Sequence, residues 1–136
     1  MIGIVVVAHG RFADVLIETA EMVVGHAEGV KACSFGEGSN VDGLRRFMKN
    51  SIKEVNDGDG VIVLTDMFGG TPSNISLSFL DEGKIEVITG VNLPMMITAL
   101  SRRQGKDLKG LACFLRDGGC SNIYVASELL SSHPEK

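Results

Sequence analysis

No apolar stretch in this chain reaches the ~20 residues that a membrane-spanning helix needs. The N-terminus also lacks the basic segment and long apolar core of a secretory signal. Cysteines are few: Cys33, Cys113 and Cys120, an odd number with no C-x-x-C spacing. That argues against a disulfide framework and a structural zinc site, and leaves reduced thiols in a cytoplasmic protein as the expectation. Positive charge is short as well. Lys and Arg number 13 against 17 Asp and Glu, for a net charge of −4. This balance argues against nucleic acid or an anionic membrane as a main partner. There is no internal repeat, low-complexity tract or linker. What remains is 136 residues, 44% of them hydrophobic and 22% charged, which suits one ordered globular domain. A chain of that size buries roughly two-thirds of its unfolded surface and needs neither metal nor disulfide to fold.

Residues 2–7 form a nearly continuous β-branched run, the pattern of a strand covered on both faces. Phe12, Val15, Leu16, Thr19, Ala20 and Val23 then recur at helical spacing, with Gly25 or Gly29 to stop the helix. Residues 30–35 read as a second strand. Ser39 as N-cap with Asp42 three residues on predicts a helix start, and Val41, Leu44, Met48, Ile52 and Val55 give that helix one apolar stripe. After Asn56-Asp57-Gly58, residues 61–65 are a third continuous apolar strand. Thr71 as N-cap with Pro72 in the first turn opens another helix. Residues 85–88 read as a fourth strand, and Asn92-Leu93-Pro94 starts a helix to about Arg103. Leu108, Leu111, Ala112 and Leu115 suggest a further short helix, ended by Asp117-Gly118-Gly119. NIYVA, residues 122–126, reads as a fifth strand. The domain is expected over residues 1–130, with 131–136 a loose tail.

Alternating strands and helices predict an open, doubly wound α/β fold with a mainly parallel sheet and helices on both faces. Such folds bind ligands at the carboxyl ends of their strands, near the point where strand order reverses. The loops that matter are then AHGR (residues 8–11), TDMFGGTPSN (65–74) and TGVNLPMM (89–96). If the first and third strands flank the reversal, His9 and Asp66 emerge side by side.

That pairing suggests phosphoryl chemistry. A neutral imidazole attacks phosphorus through a free nitrogen lone pair, so its other nitrogen must hold the proton. A carboxylate accepting that N–H fixes the tautomer and stabilises positive charge as the ring attacks. Gly10 leaves the approach to His9 open, and Gly69 and Gly70 allow close backbone approach. The helix start at Thr71 offers N–H groups and a hydroxyl to phosphate oxygens. Met67, Phe68, Asn92 and Met95 lie on the same loops and are candidate partner contacts. No metal or cofactor is required. Each feature also has a plainer reading. A histidine after a strand is often a turn residue, an aspartate can brace a loop, and GGTP and NLP are ordinary helix starts. The convergence at the sheet edge is what favours a site. His26 reads as solvated surface near a helix end, Arg45 and Arg46 as a solvated face, and the six methionines mainly as core filler. His133 in the tail is assigned nothing.

The segments VVVAHGRFADVLIETAEMVVG, VIVLTDMFGGTPSN and VITGVNLPMM, in this order, resemble the enzyme IIA domain of the mannose family of the bacterial phosphoenolpyruvate-dependent sugar phosphotransferase system. The resemblance runs in register from Ile2 to about Arg103. It implies that His9 takes a phosphoryl group from the phosphocarrier HPr and passes it to a separate IIB protein, for sugar uptake or regulation, in indirect association with a membrane permease. It implies that Asp66 hydrogen-bonds His9 and that Thr71 stands where many members have serine, keeping the hydroxyl. It further implies four parallel strands plus an antiparallel edge strand, residues 122–126, exchanged in a homodimer. A related subgroup donates phosphate to dihydroxyacetone kinase, but its first motif tends to read His-Ser, and here it is His9-Gly10. A receiver domain needs acidic residues after the first strand, where this chain has VVAHG. A histidine phosphatase places Arg before His-Gly and needs a second histidine; Ala8 stands in that place. A flavodoxin-like module needs a Ser/Thr-rich first loop, which AHGRFAD is not.

Overall fold

The computed structural model describes residues 1–131. Four strands, β1 (Gly3–His9), β2 (Val30–Phe35), β3 (Val61–Thr65) and β4 (Ile85–Thr89), form one parallel sheet in the order β2-β1-β3-β4. The helices are α1 (Phe12–Val24), α2 (Val41–Val55), α3 (Thr71–Leu77), α4 (Leu93–Arg102), α5 (Leu108–Ser121) and α6 (Ala126–Ser131). The expected doubly wound fold is the one observed. Its two central strands are the continuous apolar runs, since a strand with helices over both faces has no side for polar residues.

Alternation along β1 divides the core. Ile4, Val6 and Ala8 pack with Leu16, Met96 and Leu111 under α1, α4 and α5. Val5 and Val7 face the other way and pack with Cys33, Met48 and Ile75 beneath α2 and α3. Gly3 lets α2 dock there, because a Cβ at that point would lie 2.4 Å from the Val55 carbonyl oxygen. Burial among these side chains raises the Cys33 thiol to about 11, against a lowering by its contact with Ser51, so it is an inert core thiol. At the amino ends of the strands, the buried Arg103 guanidinium donates to the carbonyls of Ile2, Glu28 and Gly29. This ties the end of α4 to the α1–β2 turn. Arg103→Met should cost about 2 kcal/mol in a urea melt, because one buried and two part-buried carbonyls lose a charged donor, and only that of Gly29 keeps another, the Ile4 N–H.

Several helix boundaries differ from the sequence reading. Asn40, not Ser39, caps α2 by accepting from the Gly43 N–H, while Ser39 accepts from Gly36. Gly70, not Thr71, occupies the cap of α3. α5 runs through Asp117-Gly118-Gly119 to Ser121, because Gly119 packs closely against Met95 and Asn92 and is used inside the helix. The strand expected at 122–126 is not formed in the single chain. Residues 122–125 are irregular and Ala126 begins α6. A strand needs a neighbouring edge to bond, and among the described residues 122–125 pair with no strand. Ser131 ends α6, and the rest of the expected tail, His133 included, lies outside the described residues.

Candidate functional site

Strand order reverses between β1 and β3, with Val7 of β1 opposite Thr65 of β3. β1 carries on to His9, and the first residue after β3 is Asp66. The two meet where a doubly wound sheet leaves its crevice. The His9 backbone N–H donates to Asp66 Oδ2 at 2.9 Å, and His9 Nδ1 lies 2.8 Å from the same oxygen. Asp66 Oδ1 accepts from the Met67 N–H at 3.0 Å. Partial burial, the largest single influence on Asp66, opposes its charge. The hydrogen bonds from the His9 backbone and ring, attraction to a charged ring and the Met67 N–H together outweigh it, so the carboxyl sits below its ordinary value. An ionised carboxylate can only accept, so Nδ1 carries the proton; when the ring is neutral, Nε2 then keeps its lone pair. The His9 side chain is 49% exposed and that of Asp66 15%. The acceptor is sheltered and the ring is reachable.

Two further groups lie against the ring, Gly70 and Phe35. Gly70, at φ 87° and ψ 170°, lies so close that a Cβ would be 3.3 Å from His9 Cε1 and 3.5 Å from Nε2. This backbone region is essentially reserved for glycine. Gly69 is also at positive φ but meets nothing within 4 Å. With a glycine in the cap position, Thr71 is the first residue of α3 and its hydroxyl is not used as a cap. Gly10 adopts φ 58° to turn the chain from β1 toward α1, and its N–H donates to the Phe35 carbonyl at 2.9 Å. The Phe35 ring meets His9 edge to face, with centroids 6.5 Å apart and planes at 81°. Sequence reading passed over Phe35. The clue was its place as the last apolar residue of the strand beside β1.

Met67 and Phe68 are exposed, as is Phe12 at the start of α1. Met95 is not, which corrects its expected place on a partner surface. It is buried in the core against Gly119, because it faces inward from the first turn of α4. Asn92 has both side-chain groups committed. Oδ1 caps α4 through the Met95 N–H, and Nδ2 donates to the Gly119 carbonyl of α5. The cavity of about 520 Å³ lined by Asp14, Ser34, Asn40 and Phe47 includes neither His9 nor Asp66. Among the described residues, no group of three or more His, Cys, Asp or Glu side chains is placed to hold a metal ion. No described helix is long and apolar enough to cross a membrane. His26 is exposed beside Glu21, past the end of α1. It borders a cavity with Met1 and Arg103, at the amino ends of the strands, so it cannot serve as a second histidine to His9.

An oriented imidazole with a free, accessible Nε2 can act as a nucleophile toward an electrophile brought to the rim. The comparisons with known proteins point the same way. Residues 3–114 match the family model described as PTS system fructose IIA component. The chain belongs to this mannose/fructose-type IIA family of the phosphotransferase system. It is 32% identical over 131 residues to the PTS system fructose-specific EIIA component of Bacillus subtilis strain 168, covering 96% of this chain and 90% of that protein. It is 37% identical over 103 residues to the PTS system mannose-specific EIIAB component of Escherichia coli K12. There it covers 75% of this chain and spans only 32% of the longer protein. The crystal structure of phosphotransferase system component EIIA from Streptococcus agalactiae superposes with a TM-score of 0.84 at 31% identity, covering 94% of this chain and 99% of that one. As a IIA component, the chain is a phosphotransferase-system protein whose family works in phosphoryl transfer during sugar uptake. The family fold and the parallel sheet agree.

Proposed function

We propose that His9 is the phosphoryl carrier of this IIA component, taking the group from HPr and giving it to a separate IIB protein. The observation that carries this reading is the pair of contacts from the His9 N–H and Nδ1 to one oxygen of Asp66. In the forward step the Nε2 lone pair attacks phosphorus. A new N–P bond forms, the bond to the donor breaks, and its electron pair leaves with the donor. The ring gains positive charge, which Asp66 balances through Nδ1–H. Phosphoryl transfer needs mainly positioning and charge stabilisation. Thr71 and the backbone N–H groups at Gly69, Gly70 and Thr71 are the groups to cradle the phosphoryl oxygens. Gly10 keeps the approach open. Met67 and Phe68 give an apolar rim on which two partner proteins dock in turn, over the modest area usual for transient complexes.

Incubation with phosphoenolpyruvate, enzyme I and HPr should add one acid-labile phosphate per chain, mapped to the peptide that holds His9. A label that is acid-stable, or mapped elsewhere, overturns the reading. Asp66→Asn should slow transfer by about 10²-fold, since an amide no longer enforces the Nδ1–H tautomer or balances the ring. It should also change stability with a defined sign. The folded Asp66 value lies below the ordinary one. Its contribution is therefore complete above ordinary carboxylate pH and disappears as pH falls through the lowered folded value. Denaturation midpoints of the wild type and Asp66→Asn should differ at pH 7 and converge in acid.

The same reading makes the chain a homodimer. β4 is a sheet edge, and a groove of about 280 Å³ beside it is lined by Glu86, Ile88, Lys109 and Arg116. Ile123, Tyr124 and Val125, each more than half exposed, form an apolar segment that belongs to no strand among the described residues. Laid antiparallel on β4 of a second copy, it would cover both liabilities. Sedimentation at micromolar concentration should show a dimer, and a monomer would count against the exchange.

A further inference from the structure

We propose that Phe35 is a positioning residue for the His9 nucleophile, an inference that rests on the phosphoryl-transfer reading above. His9 and Phe35 are register partners at the ends of β1 and β2, so their side chains leave the sheet on the same face. They belong to different worlds, however. Phe35 packs against the buried cluster of Val7, Cys33 and Met48, whose rotamers are fixed by close packing. His9 stands half in solvent at the rim. A ring tethered only by one hydrogen bond to Asp66 keeps a swing about that bond. Nε2 sits on the far side of the imidazole from Nδ1, so the swing moves the attacking atom most.

Two contacts remove that freedom. Gly70 bounds the ring on the Cε1–Nε2 side. Phe35 meets it edge to face, at a centroid distance of 6.5 Å. The backbone reinforces the second contact, because the Gly10 N–H donates to the Phe35 carbonyl and locks the two strand ends together. Phe35 therefore carries the rigidity of the core to a side chain that has none of its own. An aromatic ring suits the task better than an aliphatic one of similar size. It is flat, with few rotatable bonds, and its quadrupole favours the edge-to-face arrangement. Only an aromatic side chain supplies this flat, edge-to-face contact, so the prediction separates aromaticity from mere volume.

The test compares Phe35→Leu, Phe35→Met and Phe35→Tyr in the full chain. The first readout is the rate of phosphoryl transfer from phospho-HPr at saturating and limiting donor. Leu and Met should each lower the maximal rate by about tenfold with little change in the half-saturating HPr concentration, while Tyr stays within about twofold of wild type. The second readout needs no phosphoryl transfer. Imidazole ¹⁵N relaxation of His9 should show an immobilised ring in the wild type and in Phe35→Tyr, and added ring motion in the aliphatic variants. Met and Leu fill the pocket differently, so loss of fold in one leaves the other to carry the comparison. Aliphatic variants that transfer at the wild-type rate overturn the proposal. So does a Tyr variant that falls as far as Leu, or a His9 ring whose mobility does not respond. If the wild type takes no phosphate but the mobility of its His9 ring still depends on the ring at position 35, the carrier reading fails while the positioning role stands.

Discussion

His9→Ala gives a folded protein that accepts no phosphoryl group from HPr. The expectation has two halves, and both come from where His9 sits. Its backbone belongs to the sheet and its side chain does not. The alanine variant keeps the β1–β2 register and the backbone N–H bond to Asp66 Oδ2. Asp66 also keeps the Met67 N–H, so its carboxylate is not left without partners. The lost ring is half exposed, and the stability cost should stay near 1 kcal/mol, as for other rim positions. Transfer has no such reserve. No other described histidine lies at the carboxyl edge of the sheet, since His26 lies at the opposite end. Removal of a nucleophile that forms the covalent intermediate costs the whole reaction. The measurement is the acid-labile phosphate per chain beside a urea melt of the same sample. Full labelling of a folded His9→Ala protein would remove His9 from the mechanism.

The central part of the fold was legible because it is written in local patterns. The β1 and β3 runs carry no polar residue before their ends, and only a strand covered on both sides permits that. Of the expected apolar stripe of α2, Leu44, Met48, Ile52 and Val55 join the core, while Val41 in the first turn is exposed. The chain's end was less legible for a physical reason. NIYVA has strand chemistry, but a strand is a relation between two segments, and among the described residues 122–125 are paired with no second segment. The glycines of α5 misled in the opposite way. Gly118 and Gly119 usually stop a helix, yet Gly119 is needed where α5 crosses the start of α4. A Cβ there would lie 2.8 Å from Met95 Cε.

The candidate site divides along the same line. The meeting of His9 and Asp66 was legible because both terminate apolar runs, and the fold class then dictates that such ends converge. Met95 was misplaced because loop membership says nothing about direction. The first turn of α4 aims it inward, and Asn92 turns inward with it to cap the helix and hold α5. Phe35 was missed because its relation to His9 depends on strand register, which no single segment reveals. The side chains that hold the ring, as opposed to those that react, are a property of packing.

Gly70→Ala should lower the transfer rate by about 10²-fold, and Gly69→Ala by far less. Both glycines hold positive φ, 95° at Gly69 and 87° at Gly70, so an alanine strains the turn at either position. The strain is of the order of 1–3 kcal/mol, and the two variants should lose similar stability. Their surroundings separate them. A Cβ at Gly69 meets nothing within 4 Å, whereas at Gly70 it reaches 3.3 Å from His9 Cε1 and 3.5 Å from Nε2. On the carrier reading, that is where the incoming phosphorus approaches. The ring yields by tilting away from Gly70, which lengthens the bond to Asp66 and turns the lone pair from its line of attack. A displacement of ~1 Å at a reacting atom is enough for a loss of this size. The measurement is single-turnover transfer from phospho-HPr for both variants, set beside their melts. Equal losses of rate would mean that strain in the turn governs transfer. A loss confined to Gly70→Ala means that open space over Nε2 governs it, and that position 70 is glycine for the histidine's sake as much as for the helix that starts there.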